Sequence, residues 1–197
     1  PVTSSKTTLK LNGPRMGLTF ATGLNADIIS APKSEGGFNA SPLSSMFGYQ
    51  FEYQYIGSGD FQALLETIIA INGIENGTLI PSLTFLNGFR FNNSGWELGL
   101  GPIFRVIRSA DGYYDDKGDW NLAGEMPTGA EYEITNRLDS RGNAKVSLGL
   151  IVAAGKTFRS GRLNMPVNLY WSPKADGDVI GLSLGFNVAK KAKKVKE

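Results

Sequence analysis

Between Phe47 and Tyr55 every second residue is aromatic: Phe47, Tyr49, Phe51, Tyr53 and Tyr55 alternate with Gly48, Gln50, Glu52 and Gln54. A period of two places successive side chains on opposite faces of a β-strand. The stretch therefore has one aromatic face and one polar face, and the fold must give those faces different surroundings. A Gly-Ser-Gly connection at 57–59 then leads into Phe61, Ala63, Leu65, Thr67, Ile69 and Ile71, alternating with Gln62, Leu64, Glu66, Ile68 and Ala70. That is the pattern of a β-hairpin.

The same plan recurs along the chain. Met16, Leu18, Phe20, Thr22 and Leu24 precede the hairpin. Leu79 to Phe91 follows it, then Trp96 to Val106, Val146 to Ala154, Leu163 to Trp171 and Ile180 to Val188. The count is eight strands. Their connections alternate in length: 25–45, 72–77, 108–143 and 172–178 are long, whereas 57–59, 92–95 (NNSG) and 158–161 (FRSG) are tight. Long loops thus share one end and tight turns the other, and an even strand number puts both termini at the tight-turn end. The expected fold is all-β, an eight-stranded antiparallel up-and-down β-barrel over 15–189. A flexible lead-in (1–14) precedes it and a Lys-rich tail (190–197) follows. The start at Pro1, without an initiator Met, is expected of a mature or trimmed product. Segments 25–45 and 108–143 are expected to be loops, and Pro81, Pro102 and Pro166 to mark bulges or breaks in pairing.

Bulk and charge decide which face is inside. The apolar set includes Phe20, Phe47, Phe51, Phe61, Phe85, Phe89, Phe91, Trp96, Phe104, Trp171 and Phe186, and an eight-stranded barrel is only wide enough for ordinary side chains to fill. Those rings belong outside. The other set is Gly, Ala, Ser, Thr, Asn and Gln with a few charges, which suits a narrow polar lumen and makes a poor water-facing surface. Along the apolar face the one ionisable residue costly in lipid is Lys156, at a strand end where it can snorkel. The barrel is therefore read as transmembrane. Tyr53, Tyr55, Phe61, Phe89, Phe91 and Trp96, near the tight turns, read as an interfacial girdle. The lumen receives Glu52, Glu66, Arg90, Glu97 and Arg105 as a polar network, with Arg90 set opposite Glu97 by the NNSG turn.

The stretches FGYQFEYQY, LIPSLTFLNGFRFNN and GWELGLGP, with the closing GLSLGFNV, resemble the small eight-stranded outer-membrane barrels of the OmpA type, and uncharacterised outer-membrane barrel proteins of Bacteroidota-type bacteria. The resemblance covers about residues 15 to 188. It implies a Gram-negative outer membrane, long loops extracellular and termini periplasmic. Such barrels commonly end on an aromatic residue, whereas here Phe186 and Val188 precede the lysines. Enzymes that resemble this fold use a histidine base, and the chain has neither His nor Cys.

Other chemistry is weakly indicated. Glu52 and Glu66 are expected close together across the hairpin, where carboxylate-only chemistry is conceivable but a lumen-filling polar network is the simpler reading. Asp111, Asp115, Asp116 and Asp119 could gather Ca²⁺, yet lack EF-hand spacing, and a solvated loop is simpler. Basic residues number 20 against 18 acidic, and five of the 20 lie in KKAKKVKE. The body is near neutral, with no field to hold nucleic acid. The expected function is a non-enzymatic outer-membrane barrel without cofactor, its lumen filled, in contact with the lipid bilayer and acting as an accessory subunit beside other outer-membrane proteins. The alternatives are a narrow porin-like solute channel and a soluble lipocalin-like barrel holding an apolar ligand.

Overall fold

The computed structural model describes residues 11–188 apart from Gly59. The Lys-rich tail and the first ten residues of the lead-in lie outside the described residues. In chain order the strands are β1 (Gly13–Ala21), β2 (Leu43–Ser58), β3 (Phe61–Asn72), β4 (Ile80–Phe91), β5 (Trp96–Tyr114), β6 (Trp120–Leu122), β7 (Thr135–Leu138), β8 (Asn143–Ser160), β9 (Leu163–Ser172), β10 (Val179–Gly185) and β11 (Asn187–Val188). β10 and β11 are one strand interrupted at Phe186. β1 to β5 pair in sequence, β5 pairs with β8 and β8 with β9. β10 pairs with both β9 and β1, which closes an eight-stranded antiparallel barrel.

Closure follows from the alternation. Strands of 7 to 19 residues, from β10 to β5, carry the pleat past each other without an exposed edge. At the NNSG turn Gly95 takes φ 76°, a conformation open to glycine, and donates its N–H to the Phe91 carbonyl. That turn fixes Arg90 opposite Glu97, and Gln62 pairs with Arg90 from the next strand. The polar set therefore converges on the inside, while Phe47, Phe51, Tyr53 and their outward neighbours are exposed.

The prolines do not shift the register. Pro81 sits opposite Ile71, Pro102 opposite Leu150 and Pro166 opposite Thr157, all within continuous ladders. On the other side of Pro102 and Pro166 the ladder lapses and resumes unshifted, from Thr84–Ile103 to Asn87–Leu100 and from Leu184–Val167 to Asn187–Asn164. A proline lacks one N–H and so loses pairing toward one neighbour only. The register shift in the β2–β3 ladder falls elsewhere, between Gln54 and Ile56, where Tyr55 bulges.

The two longest loops are more ordered than alternation predicts. Segment 25–45 contains most of a helix, α1 (Gly23–Ser30), and a 3-10 turn at Lys33–Glu35. β1 ends at Ala21, and Gly23 at φ 60° redirects the chain. α1 buries Asn25 and Ile28, and Asn25 donates to the Gly177 carbonyl in the β9–β10 connection. Segment 108–143 is part strand and part loop: β5 runs on to Tyr114 and pairs with β6 and β7 above the barrel. Burial in this head does not alternate, since Gly112 and Tyr113 are buried side by side between exposed Asp111 and Tyr114. It is held by side chains: Arg137 lies over the rings of Trp120 and Tyr114, and Tyr113 stacks on Tyr132 at 4.8 Å. Buried Asp139 accepts from the Arg141 guanidinium and from Trp120 Nε1.

Candidate functional site

The lumen divides into a packed polar half and a hollow half. Near the tight turns the Arg90 guanidinium, fully buried, donates from Nη1 to Glu52 Oε1 at 2.9 Å, from Nη2 to Glu52 Oε2 at 2.5 Å and from Nε to Glu97 Oε1 at 3.0 Å. The Thr157 hydroxyl also bonds Glu97 Oε1. Gln62 reaches Arg90 and Gln54, and the buried backbone N–H of Leu11 donates to Glu52. One level up, Arg15 Nε donates to Gln50 Oε1 at 2.7 Å. Charge-assisted bonds of this kind hold a buried guanidinium that would otherwise be costly to desolvate.

Small residues make room for these long ones. A Cβ on Gly88 would come 3.1 Å from Glu66 Oε1, and one on Gly185 would come 3.0 Å from Arg15 Cδ. Glu66 faces Glu52 across the β2–β3 ladder. Both carboxyls of Glu52 and Glu97 converge on Arg90, so Glu52 engages a guanidinium rather than its neighbouring acid. Arg105 stands apart from this network, in the upper half, where its Nη1 donates to Ser172 Oγ at 3.2 Å.

The expectation of a lumen filled along its length holds only for the tight-turn half. Toward the long loops a cavity of about 780 Å³ opens, lined by inward Thr19, Ser44, Ala70, Ser82, Thr84, Ser147 and Ser183. These side chains are too small to meet across the barrel. Its floor is an apolar cluster of Leu86, Ile103, Ile151 and Ala153, with Ile68 and Tyr170 packed against it. The long inner side chains expected to fill the lumen, Glu52, Glu66, Arg90 and Glu97, do not line this space.

Outside the barrel, Tyr53, Tyr55, Phe89, Phe91 and Trp96 are exposed near the tight turns, with Phe61 half-buried between Phe89 and Phe91 at ring distances of 5.6 and 6.0 Å. Lys156 Nζ lies 5.5 Å from the Trp96 ring centre. At the opposite end Trp171 is exposed and its Nε1 donates to Asp178 Oδ2.

The four head aspartates are spent separately. Asp111 binds Asn136 and Lys145, Asp115 accepts the N–H groups of Lys117 and Asp119, and Asp116 accepts the Tyr132 hydroxyl. Among the described residues no three His, Cys, Asp or Glu side chains converge as a metal site. Asp119 contributes its carbonyl, not its carboxylate, to Asn121.

No family model matches the chain, and no curated protein matches it. Among solved structures, the crystal structure of Ail, the attachment invasion locus protein of Yersinia pestis, in complex with the heparin analogue sucrose octasulfate, aligns at a TM-score of 0.40 and 12% identity, over 92% of this chain and 99% of that one.

Proposed function

We propose that this chain is a non-enzymatic integral barrel of a bacterial outer membrane, closed at its tight-turn end, that serves as a structural or accessory subunit beside other outer-membrane proteins. The observation that carries membrane residence is the outer surface. Leu148 is 63% exposed, Ile69 54%, Leu98 53% and Leu182 53%, on strands that circle the barrel, with aromatic residues toward both ends. A continuous apolar girth of this kind far exceeds the few hundred Å² that a water-soluble monomer leaves bare. Transmembrane strands need about 9 to 11 residues, and β3 and β4 have 12 each. No helix among the described residues is long and apolar enough to cross a membrane.

Two features support the rest of the reading. The Arg90 side chain is buried between Glu52 and Glu97 in the tight-turn half, which weighs against a solute channel. The folded head formed by β5, β6, β7 and β8 offers an ordered surface at the long-loop end, which suits contact with a neighbouring protein. In this reading the head is extracellular and the termini are periplasmic.

Carbonate washing of expressing membranes, followed by purification in mild detergent, tests residence and partnership together. The expected result is retention in the washed membrane and recovery in detergent with other outer-membrane proteins. Recovery as a monomer without detergent would contradict membrane residence, and purification of the barrel alone would contradict the accessory role.

A further inference from the structure

The hollow half of the lumen has a charge that the chain as a whole does not. Acidic and basic residues nearly balance along the sequence, 18 against 20. Among the described residues the cavity is lined by five basic ones, Arg15, Lys33, Arg105, Arg108 and Lys174, and by no Asp or Glu. Segregation on this scale has to come from placement.

The hydrogen bonds given to these cations are to neutral groups. Arg105 Nη1 donates to Ser172 Oγ at 3.2 Å, Lys174 Nζ to Ser147 Oγ at 2.8 Å and Arg108 Nη1 to the Ser140 carbonyl at 3.0 Å. Arg15 donates to Gln50, to the Pro166 carbonyl and, with the Asn168 amide turned over, to Asn168 Oδ1. Of the carboxylates near Lys174, Asp178 accepts from Trp171 Nε1 and from the Lys174 backbone, and Asp176 lies off the cavity lining but close enough to oppose Arg105 at the Lys174 ammonium. Burial first, and Arg105 second, lower the pKa of the Lys174 ammonium. Arg105 is half-buried and Lys174 stands exposed at the mouth, and two cations that approach each other are stabilised by an anion between them.

Beneath Arg105 and Lys174 lies the apolar floor of Leu86, Ile103, Ile151 and Ala153. A vestibule meant only for water and small ions has no use for such a floor, whereas an alkyl chain does. The volume, about 780 Å³, lies inside the range of roughly 300 to 1,000 Å³ typical of small-molecule sites. We infer that the cavity binds a single-chain amphipathic anion, its tail on the Leu86–Ile103–Ile151 floor and its carboxylate or phosphate head between Arg105 and Lys174. The inference deepens the proposed function, since it makes the barrel a binder of an anionic lipid-like molecule at the long-loop side.

The test is titration of carboxyl-¹³C dodecanoate into the full chain in dodecyl maltoside, with dodecyl phosphate in parallel. The micelle supplies the same tail on a neutral head, so saturable binding reports the cations. Expected are a bound carboxyl resonance saturating at one per chain, little competition from dodecanol, and affinity at least tenfold lower in Arg105→Gln/Lys174→Gln. Lys156→Gln, outside the barrel, should bind normally. Preference for dodecyl phosphate over dodecanoate, with the same loss in the double variant, would assign the head as phosphate and support the site. Heat-modifiable electrophoresis shows that each variant is a folded barrel. Absence of saturable binding by the folded wild type, equal affinity in the double variant, or equal competition by dodecanol would overturn the inference. None of these outcomes bears on membrane residence, which the carbonate wash decides.

Discussion

Arg90 is the shared partner of Glu52 and Glu97: one guanidinium, fully buried, joins β2 to β5 by gripping both oxygens of the first carboxylate and one of the second. β4 carries the arginine between the two strands that carry the acids. The bridge therefore ties non-adjacent strands through the lumen, a link that backbone ladders cannot make.

Removing the cation alone should be far more damaging than removing the whole triad. Arg90→Met leaves two buried carboxylates without their partner, and breaking a buried pair costs about 3 to 5 kcal/mol. Arg90→Met/Glu52→Gln/Glu97→Gln removes the charges together, and such replacements are often near neutral. Urea unfolding of the barrel in detergent, followed by heat-modifiable electrophoresis, is expected to rank the single variant well below the triple. Equal stabilities would mean that the bridge contributes little.

The two faces of β8 should respond oppositely to charge. Leu148 points outward and Ser147 into the cavity. An arginine on the lipid face costs roughly 2 to 4 kcal/mol near mid-membrane, whereas one at Ser147 has space and water. Leu148→Arg is expected to reduce folded barrel in the membrane fraction much more than Ser147→Arg. The reverse order would mean the faces are exchanged.

The head should loosen in acid before the barrel does. Burial alone would raise the Asp139 pKa, but hydrogen bonds from Arg141 and Trp120 outweigh it and hold the carboxyl below its usual value. A carboxyl depressed in the folded state contributes stability above its unfolded pKa of about 3.9. That contribution is lost as pH falls through the folded value. Limited proteolysis of 115–137 should quicken below about pH 4, and Asp139→Asn should show the quickening at neutral pH. An unchanged digestion rate in Asp139→Asn would show that this contact does not hold the head.

Orientation has its own readout. Protease added to intact cells should cut near Asp115 to Lys117 and spare the lysines at 190–196. Cleavage of the tail in intact cells would invert the topology.

Strand number, order and facing were legible because lipid and lumen impose opposite demands at every second residue, as at Phe47 to Tyr55. The Arg90–Glu97 relation was legible too, since a four-residue turn leaves one register. Glu52 joining that pair was not, because it depends on which long side chains reach across the lumen. The hollow was hidden for a related reason: Ser82, Thr84 and Ser147 read as polar, and only closure of the barrel turns their small volumes into one space. Helix α1 escaped notice because Leu24 and Ile28 give it a single apolar repeat. The head escaped because burial there breaks the period of two, with Gly112 and Tyr113 buried side by side.

With the outer face in lipid and the head clear of it, the three tryptophans meet different surroundings. Trp96 and Trp171 are exposed on the barrel near its two ends, and Trp120 is in the head. Single-tryptophan variants, with phenylalanine at the other two positions, can be reconstituted into phosphatidylcholine bilayers whose acyl chains carry bromine. The fluorescence of Trp96 and of Trp171 should be strongly quenched, most by bromines close to the headgroups, and that of Trp120 should be unchanged. Quenching of Trp120 as strong as that of the other two, or none at Trp96 and Trp171, would contradict a transmembrane barrel.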